Sequence, residues 1–546
     1  MPTQQYALGC DFGTESVRVV LLGRGDGRTV GMATSNYRHG VIDRNLPGGG
    51  EPLAADYAFQ HPGDWLESLA IACKSAIAGA GIDAEEIAGI GVAFTSCTML
   101  PCRRDGTPLC LSEGLARVPF AWPKLWKHHG ATAQAQRITR IAHERREPWL
   151  ARYGGTIGVE WFFPKVLETL EKDPRIYESA QVWLEAGDWL VWQLTSGPFP
   201  KCSVSDLVRS TCQAGYKAMW QREGGFPSPE FFAAVHPKLR DVVAEKMPGR
   251  FAAPGTRAGR LTEAAARLLG LAADTPVATA TIDAHAGVPG AGVADDDTLV
   301  MVLGTSSCHM LNSKTERLAP GIAGVVADGI LPGSFGYETG QASVGDALAW
   351  VARTVNIPHQ ELNVLAAKLS PGSGGVLAID WLNGCRTPLM DGHLSGGFIG
   401  LTLGTRPEQL YRAMIEATAM GVRWIRDTLV KSDVPIRAYV ASGGLGAKSP
   451  LLMQIYADVL NAPITLASTD QPVAVGAAIL GNLAAADSLD HDSVHRTVAA
   501  MTGVASSPVR YVPDAEFAVK YDELYALYRD MTDSPTREIM HKARGL

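Results

Sequence analysis

"YALGCDFGTESVRVVLL", residues 6–22, decides how this chain is read. Tyr6 and Leu8, then Val17, Val19 and Leu21, alternate as two half-buried strands do. Between them Asp11 sets a charge where a buried strand ends, and Gly13, Thr14 and Glu15 follow at once. Asp and Gly are ordinary turn residues, so a plain turn is one reading. The other is a turn that grips phosphate while the aspartate holds the metal that travels with it.

Working outward, the chain breaks at "GRGDGR" (23–28), resumes as a strand near Val30, and passes a Pro/Gly loop, "LPGGGEP" (46–52). Trp65, Leu69, Ala72, Ala76 and Ile77 recur at helical steps, and "IAGIGVAF" (87–94) reads as a buried strand. Residues 120–270 are richer in Trp, charge and helical pattern, as an inserted or lid-like region is. The opening then restarts. "DTLVMVLGTSSCHMLN" (297–312) again reads strand, Gly-Thr-Ser turn, strand, about 290 residues after the first, which suggests duplicated α/β domains facing each other across a cleft. Helices are expected on Val344, Ala347, Leu348 and Val351 and over roughly 407–430. The strand "IRAYVASGG" leads into a helix capped by Ser449 with Pro450 at its first position.

At 546 residues the chain exceeds one hydrophobic core, so two or more domains are expected. Its formal charge of −7, with no run of Lys or Arg, argues against a nucleic-acid partner. Nine dispersed cysteines with no Cys-x-x-Cys pair suit a reducing compartment. The first residues lack the pattern of a signal peptide. The longest uncharged apolar-rich stretch, 471–486, falls short of the roughly 18 apolar residues of a membrane span. A cytoplasmic protein without a membrane partner is expected.

Three glycine-centred turns, Gly13-Thr14, Gly304-Thr305-Ser306 and Gly443-Gly444, each follow a predicted strand. Glycine lets backbone N–H groups approach an anion, a hydroxyl adds a neutral donor, and helix N-termini favour anions. A nucleotide polyphosphate held by the hairpins accounts for all three. Phosphoryl transfer also needs a cation and a proton acceptor. Asp11 suits the Mg²⁺ side, through water. Asp283, alone among small residues in "ATATIDAHAGVPGAG", suits the base, or else caps the helix it opens. His285 has no second histidine at ligand spacing and reads as a packed residue.

On these residues the chain resembles the FGGY family of carbohydrate kinases, within the actin-like ATPase superfamily, and inside it the ribulokinase branch. The shared stretches span nearly the whole chain: "DFGTESVR", "YRHGVID", "FTSCTML", "KLWKHH", "RYGG", "EWFFPKV", "AGYKAMW", "IDAHAGVPGAG", "LGTSSCHM", "GYETGQASVGDALAW", "DWLNGCRTP" and "GGLGAKSPLLMQIYADV". The resemblance implies an α/β fold of two actin-like (ribonuclease H-like) domains across a catalytic cleft. The sugar-binding domain, with the first phosphate hairpin, is expected at 1–281 and the ATP-binding domain at 282–546. It implies ATP- and Mg²⁺-dependent phosphorylation of L-ribulose in L-arabinose catabolism. Asp11, Gly13 and Thr14 match the first phosphate turn, Gly304, Thr305 and Ser306 the second, and Gly443, Gly444 and Lys448 the adenosine loop. Asp283 matches the catalytic base, Lys217 and Glu338 match sugar contacts, and position 96 lies beside the ketose. Trp126 is a sugar wall or a core residue. The family usually carries Ala or Gly at position 96; Ser96 here adds a hydroxyl that bonds the sugar or turns away, which touches substrate preference and not reaction class. D-ribulose, ribitol and D-xylulose stay open as substrates, as does a non-kinase actin-like ATPase, and a homodimer stays open as the assembly.

Overall fold

The computed structural model describes residues 5–486, 488–503 and 508–545. The turn after Asp11 closes an antiparallel hairpin of β1 (Tyr6–Phe12) and β2 (Ser16–Gly23), in which Asp11 stands opposite Arg18. β3 (Thr29–Asn36) extends it, and β4 (Ile87–Phe94) lies parallel to β1 on the other side. A parallel neighbour needs a crossover, and helix α1 (Pro62–Ala80) supplies it. The helix opens on a His61 cap with proline at its first position and closes on Gly81 at φ 64°. Trp65, Leu69, Ala72 and Ala76 form its buried face, as their spacing predicts. The sheet runs β3-β2-β1-β4 and continues through Pro276–Ala278 and Arg257–Arg260, while Thr281–Ile282 also pairs with β4.

One expectation changes. The hairpin strands are expected to be half-buried, yet β1 is buried along nearly its whole length, while β4 is buried throughout, as expected. The cause is the uncharged stretch near the chain's end. It forms helix Pro472–Ala485, apolar on every side, and lies against the second face of this sheet. Gly91 makes the approach possible: a Cβ there would stand 1.8 Å from the carbonyl oxygen of Ala477. An all-round apolar helix is buried by protein here, and no helix among the described residues is long and apolar enough to cross a membrane.

The second sheet repeats the plan. Thr298–Leu303 and Ser307–Ser313 form the hairpin, and Ala438–Ser442 runs parallel to the first of them. Ser449 caps helix Pro450–Leu460 by accepting the Leu452 N–H. By its contacts the chain divides into one unit of residues 1–294, 325–336 and 471–504, and another of 295–324, 337–470 and 505–546. Residues 120–270 belong to the first unit and build a second apolar cluster there, around Trp149, Phe163, Phe231 and Leu239. All nine cysteines are free thiols, eight of them buried.

Candidate active site

In the first unit, parallel strands deliver three of the expected residues to one end of the sheet. Phe12 of β1 is level with Phe94 of β4, and Ile282 is level with Phe94 on the other side. Gly13, the turn at Thr95–Thr98 and Asp283 therefore all leave the sheet at the carboxyl ends of neighbouring strands. That is where open α/β sheets bind ligands.

The first turn is held from four directions. The Gly13 N–H donates to Ser16 O at 2.9 Å, and Tyr37 Oη donates to Gly13 O at 3.2 Å. Gln60 Nε2 donates to Thr14 O at 2.7 Å, and Trp126 Nε1 to Thr14 Oγ1 at 3.1 Å. Trp126, 39% exposed, is thus tied to the Gly13-Thr14 turn instead of lying in a core. Asp11 is the next-to-last residue of β1, with Arg18 Nη1 3.5 Å away. Burial pushes its carboxyl up to about 6, and Arg18 offsets only part of that. A half-buried carboxylate whose cost of burial Arg18 offsets only in part fits a hydrated Mg²⁺ nearby.

Asp283 is the first residue of helix Asp283–Gly290, whose N-cap is Ile282, and its Oδ1 accepts the Ala284 N–H at 2.7 Å. It anchors the helix start and stays half-buried. His285 is buried with its ring 4.2 Å from that of Tyr216, a packed histidine as expected. Lys217 ends helix Thr211–Lys217, buried, with Nζ 5.8 Å from the centre of the Trp161 ring. That helix is pinned at its start: the Ser210 N–H donates to Asp188 Oδ1 at 2.9 Å. Burial raises Asp188 to about 7 against the pull of Arg209 and of this N–H. Ser96 sits half-buried in a turn closed by a 2.8 Å bond between the Thr95 and Thr98 hydroxyls.

In the second unit Val302 is level with Ser442, so Gly304 and Gly443 also leave at the carboxyl ends of adjacent parallel strands. Gly443 has φ 92°, and a Cβ there would stand 2.5 Å from Leu303 O, so only glycine fits between the turns. Thr305 is exposed, and its carbonyl accepts the N–H groups of Val344 and Asp346 at 3.0 and 3.2 Å. Ser306 follows it, half-buried, with its carbonyl accepting the Gly304 N–H at 3.1 Å. Gly444 opens a short helix that ends at exposed Lys448. Glu338 is buried in strand Phe335–Gln341.

Sequence reasoning missed the residues beneath these turns. Gln60 and Tyr37 hold the first turn by its carbonyls, and Lys165, a buried lysine of helix Phe162–Lys172, reaches the backbone at Cys97. One grouping, His39, His61 and Asp64, has metal-like composition. Hydrogen bonds account for it: His39 N and Nδ1 reach Asp64 at 2.8 and 2.9 Å, and His61 Nδ1 accepts the Gly63 N–H.

Two sheets of one plan, each releasing glycine turns from the ends of parallel strands, with carboxylates at the same end of the first, define a protein that handles phosphate groups. The chain belongs to the FGGY family of carbohydrate kinases, whose N-terminal domain matches residues 6–290 and C-terminal domain residues 299–485. It is 43% identical to a ribulokinase of Shouchella clausii (strain KSM-K16) over 97% of this chain and 95% of that one. A ribulokinase of Mycolicibacterium smegmatis is 42% identical over 97% of this chain and 94% of its own. Among solved structures, xylulose kinase from Rhodospirillum rubrum superposes with a TM-score of 0.76 at 22% identity, covering 96% of this chain and 99% of that one. Plasmodium falciparum glycerol kinase with ADP gives 0.76 at 15% identity over 97% and 98%. These two likenesses concern the fold.

Proposed function

We propose that this protein is a cytoplasmic, ATP-dependent L-ribulose kinase that yields L-ribulose 5-phosphate in L-arabinose catabolism. What carries the reading is the identity of 42–43% to ribulokinases along almost the entire chain. Buried charges in the two most branch-specific motifs support it: Lys217 in "AGYKAMW" and Glu338 in "GYETGQ".

The residues divide the work chemically. Lys217 and Glu338 form charge-assisted bonds to ketose hydroxyls, which are stronger than neutral ones. A site built to bond a hydroxyl rejects an analogue that lacks it. Asp283 accepts the proton of the terminal hydroxyl as that oxygen attacks the γ-phosphorus, and the bond to the leaving ADP breaks in line. Backbone N–H groups and hydroxyls at Gly13-Thr14, Gly304-Thr305-Ser306 and Gly443-Gly444, with Lys448, hold the nucleotide. Asp11 holds Mg²⁺, which neutralises charge on the phosphates. On this reading 1–281 carries sugar recognition and the first phosphate hairpin, and 282–546 carries ATP binding.

A second reading rests on Ser96, whose half-buried hydroxyl lies in the turn that the family resemblance sets beside the ketose: preference then shifts toward D-ribulose, ribitol or D-xylulose. The test is a coupled ADP assay over those compounds and L-ribulose. L-ribulose should give the highest kcat/KM; a different winner selects the second reading. ADP release that no sugar stimulates rejects both and leaves an actin-like ATPase. Sedimentation of the same sample tests for a homodimer.

A further inference from the structure

Two lysines lie side by side in the interior of the first unit, and they do different things. Lys124 and Lys165 are 1% and 0% exposed. Lys124 Nζ meets a carboxylate, Glu168 Oε2, at 2.7 Å, and that carboxylate also bonds His128 Nε2 at 2.7 Å. A buried cation so paired is a structural element. Among the described residues Lys165 Nζ meets no carboxylate by hydrogen bond. It donates to two carbonyls, Cys97 O at 2.6 Å and Leu125 O at 2.8 Å. An ammonium buried on carbonyls alone is a costly way to fill a core that a methionine would fill.

The two carbonyls belong to segments far apart in sequence, each next to a residue of the candidate site: Ser96 on one side, Trp126 on the other. Cys97 has φ 56°, left-handed backbone that a side chain disfavours, so this turn needs outside support. The supports converge there: the hydroxyl pair of Thr95 and Thr98, the Ala186 N–H on Thr98 O at 2.7 Å, and Lys165. Trp126 in turn bonds Thr14 of the first phosphate turn. Beside the same turn lies Glu185, buried, with neither carboxyl oxygen hydrogen-bonded among the described residues. Burial raises its pKa and lowers that of Lys165, so both are set apart from ordinary surface charges.

We propose that Lys165 is a positioning residue for the sugar: by bonding the Cys97 and Leu125 carbonyls it fixes the Ser96 turn and the Trp126 segment in one geometry, which sets affinity for the ketose. The proposal rests on the sugar-kinase reading, in which Ser96 borders the ketose. Lys165 itself does not touch substrate.

Steady-state kinetics of the full chain test it with Lys165→Met, Lys165→Arg, Lys124→Met and Cys97→Gly. Lys165→Met should raise the KM for L-ribulose about tenfold or more while the ATP KM stays within about twofold, the pattern of lost ground-state binding on one substrate only. Lys165→Arg, which keeps the charge and donors, should recover part of that loss. Lys124→Met should lower Tm and leave both KM values near wild type. Glycine accommodates φ 56° without strain, so Cys97→Gly should fold, loosen the turn, and raise the ribulose KM several-fold with ATP unaffected. The proposal is overturned if Lys165→Met leaves the ribulose KM within about twofold, if both KM values rise together, or if Lys124→Met gives the same split. Should Lys165→Met yield no folded protein, Cys97→Gly decides: an unchanged ribulose KM overturns it. A wild type that releases no ADP with any pentulose removes the underlying reading as well. Normal wild-type turnover with the Lys165 and Cys97 variants unaffected removes this proposal alone.

Discussion

The two glycine hairpins are built alike and equipped differently. Both join antiparallel strands, and each has a parallel strand beside its first member. At the end of the first, Asp11 faces Arg18 across the pair; counting back the same way from the second turn, Val302 faces Cys308. The first turn is gripped by side chains from elsewhere in its unit, Gln60, Tyr37 and Trp126. The second is gripped by backbone, through Val344 and Asp346 N–H groups on Thr305 O. A repeated backbone can bind the same kind of group twice, because N–H groups and glycine space do not depend on side chains. Charge chemistry is not repeated, because it rests on single carboxylates. The experiments below press on that division.

The largest effect should come from a carboxylate that belongs to neither hairpin. Asp283→Asn should lower kcat by about 10²- to 10⁴-fold, the usual range for a general base, with sugar and nucleotide Kd by calorimetry little changed. Retention of more than about a tenth of the rate would show that Asp283 only anchors its helix.

Next come the charges proposed to meet the sugar. Lys217→Ala and Glu338→Ala should each raise the ketose KM about tenfold to a hundredfold, matching roughly 1.5–3 kcal/mol for a charge-assisted bond, and leave the ATP KM nearly unchanged. Measuring both constants with L-ribulose and again with D-ribulose separates recognition from general damage. An unmoved sugar KM in both variants refutes their assignment.

The hairpins themselves are separated by Asp11→Ala against Val302→Ala. The first should raise the Mg²⁺ concentration for half-maximal rate about tenfold if Asp11 holds the metal through water as proposed, and the second should leave it alone. An equal response from both variants would mean that the two turns are not differently equipped. Ser96→Ala should do less: a few-fold change in ribulose KM and a shift in ranking among pentuloses, as expected for a neutral hydroxyl.

The smallest effect is on stability. Burial holds Asp188 at about 7, above its unfolded value, so its contribution is fully present below about pH 4 and is lost as pH rises through about 7. Asp188→Asn stays neutral and should flatten the fall of Tm over that interval relative to wild type. Parallel Tm curves for the two proteins would show that Asp188 is not the titrating group.

The sequence alone determined the parts that are local. Alternation, glycine spacing and the Ser449-Pro450 start are written in neighbouring residues, and strands, turns and caps depend on neighbours. Hence the hairpin at 6–22, its counterpart near 300 and the helix from Pro450 all appear where they were expected. Motifs likewise marked the candidate residues, since each is a short run with an unusual residue at a fixed offset. Tertiary structure decided the rest. The apolar run at 471–486 reads as a buried helix, but only long-range packing puts it on a sheet begun at residue 6, against glycines whose absent Cβ atoms gain meaning from what approaches them. Asp283 joins the level of Gly13 and Ser96 through strand register, which sequence separation hides. Lys165 bonds carbonyls at 97 and 125, and a carbonyl carries no sequence signal because every residue has one.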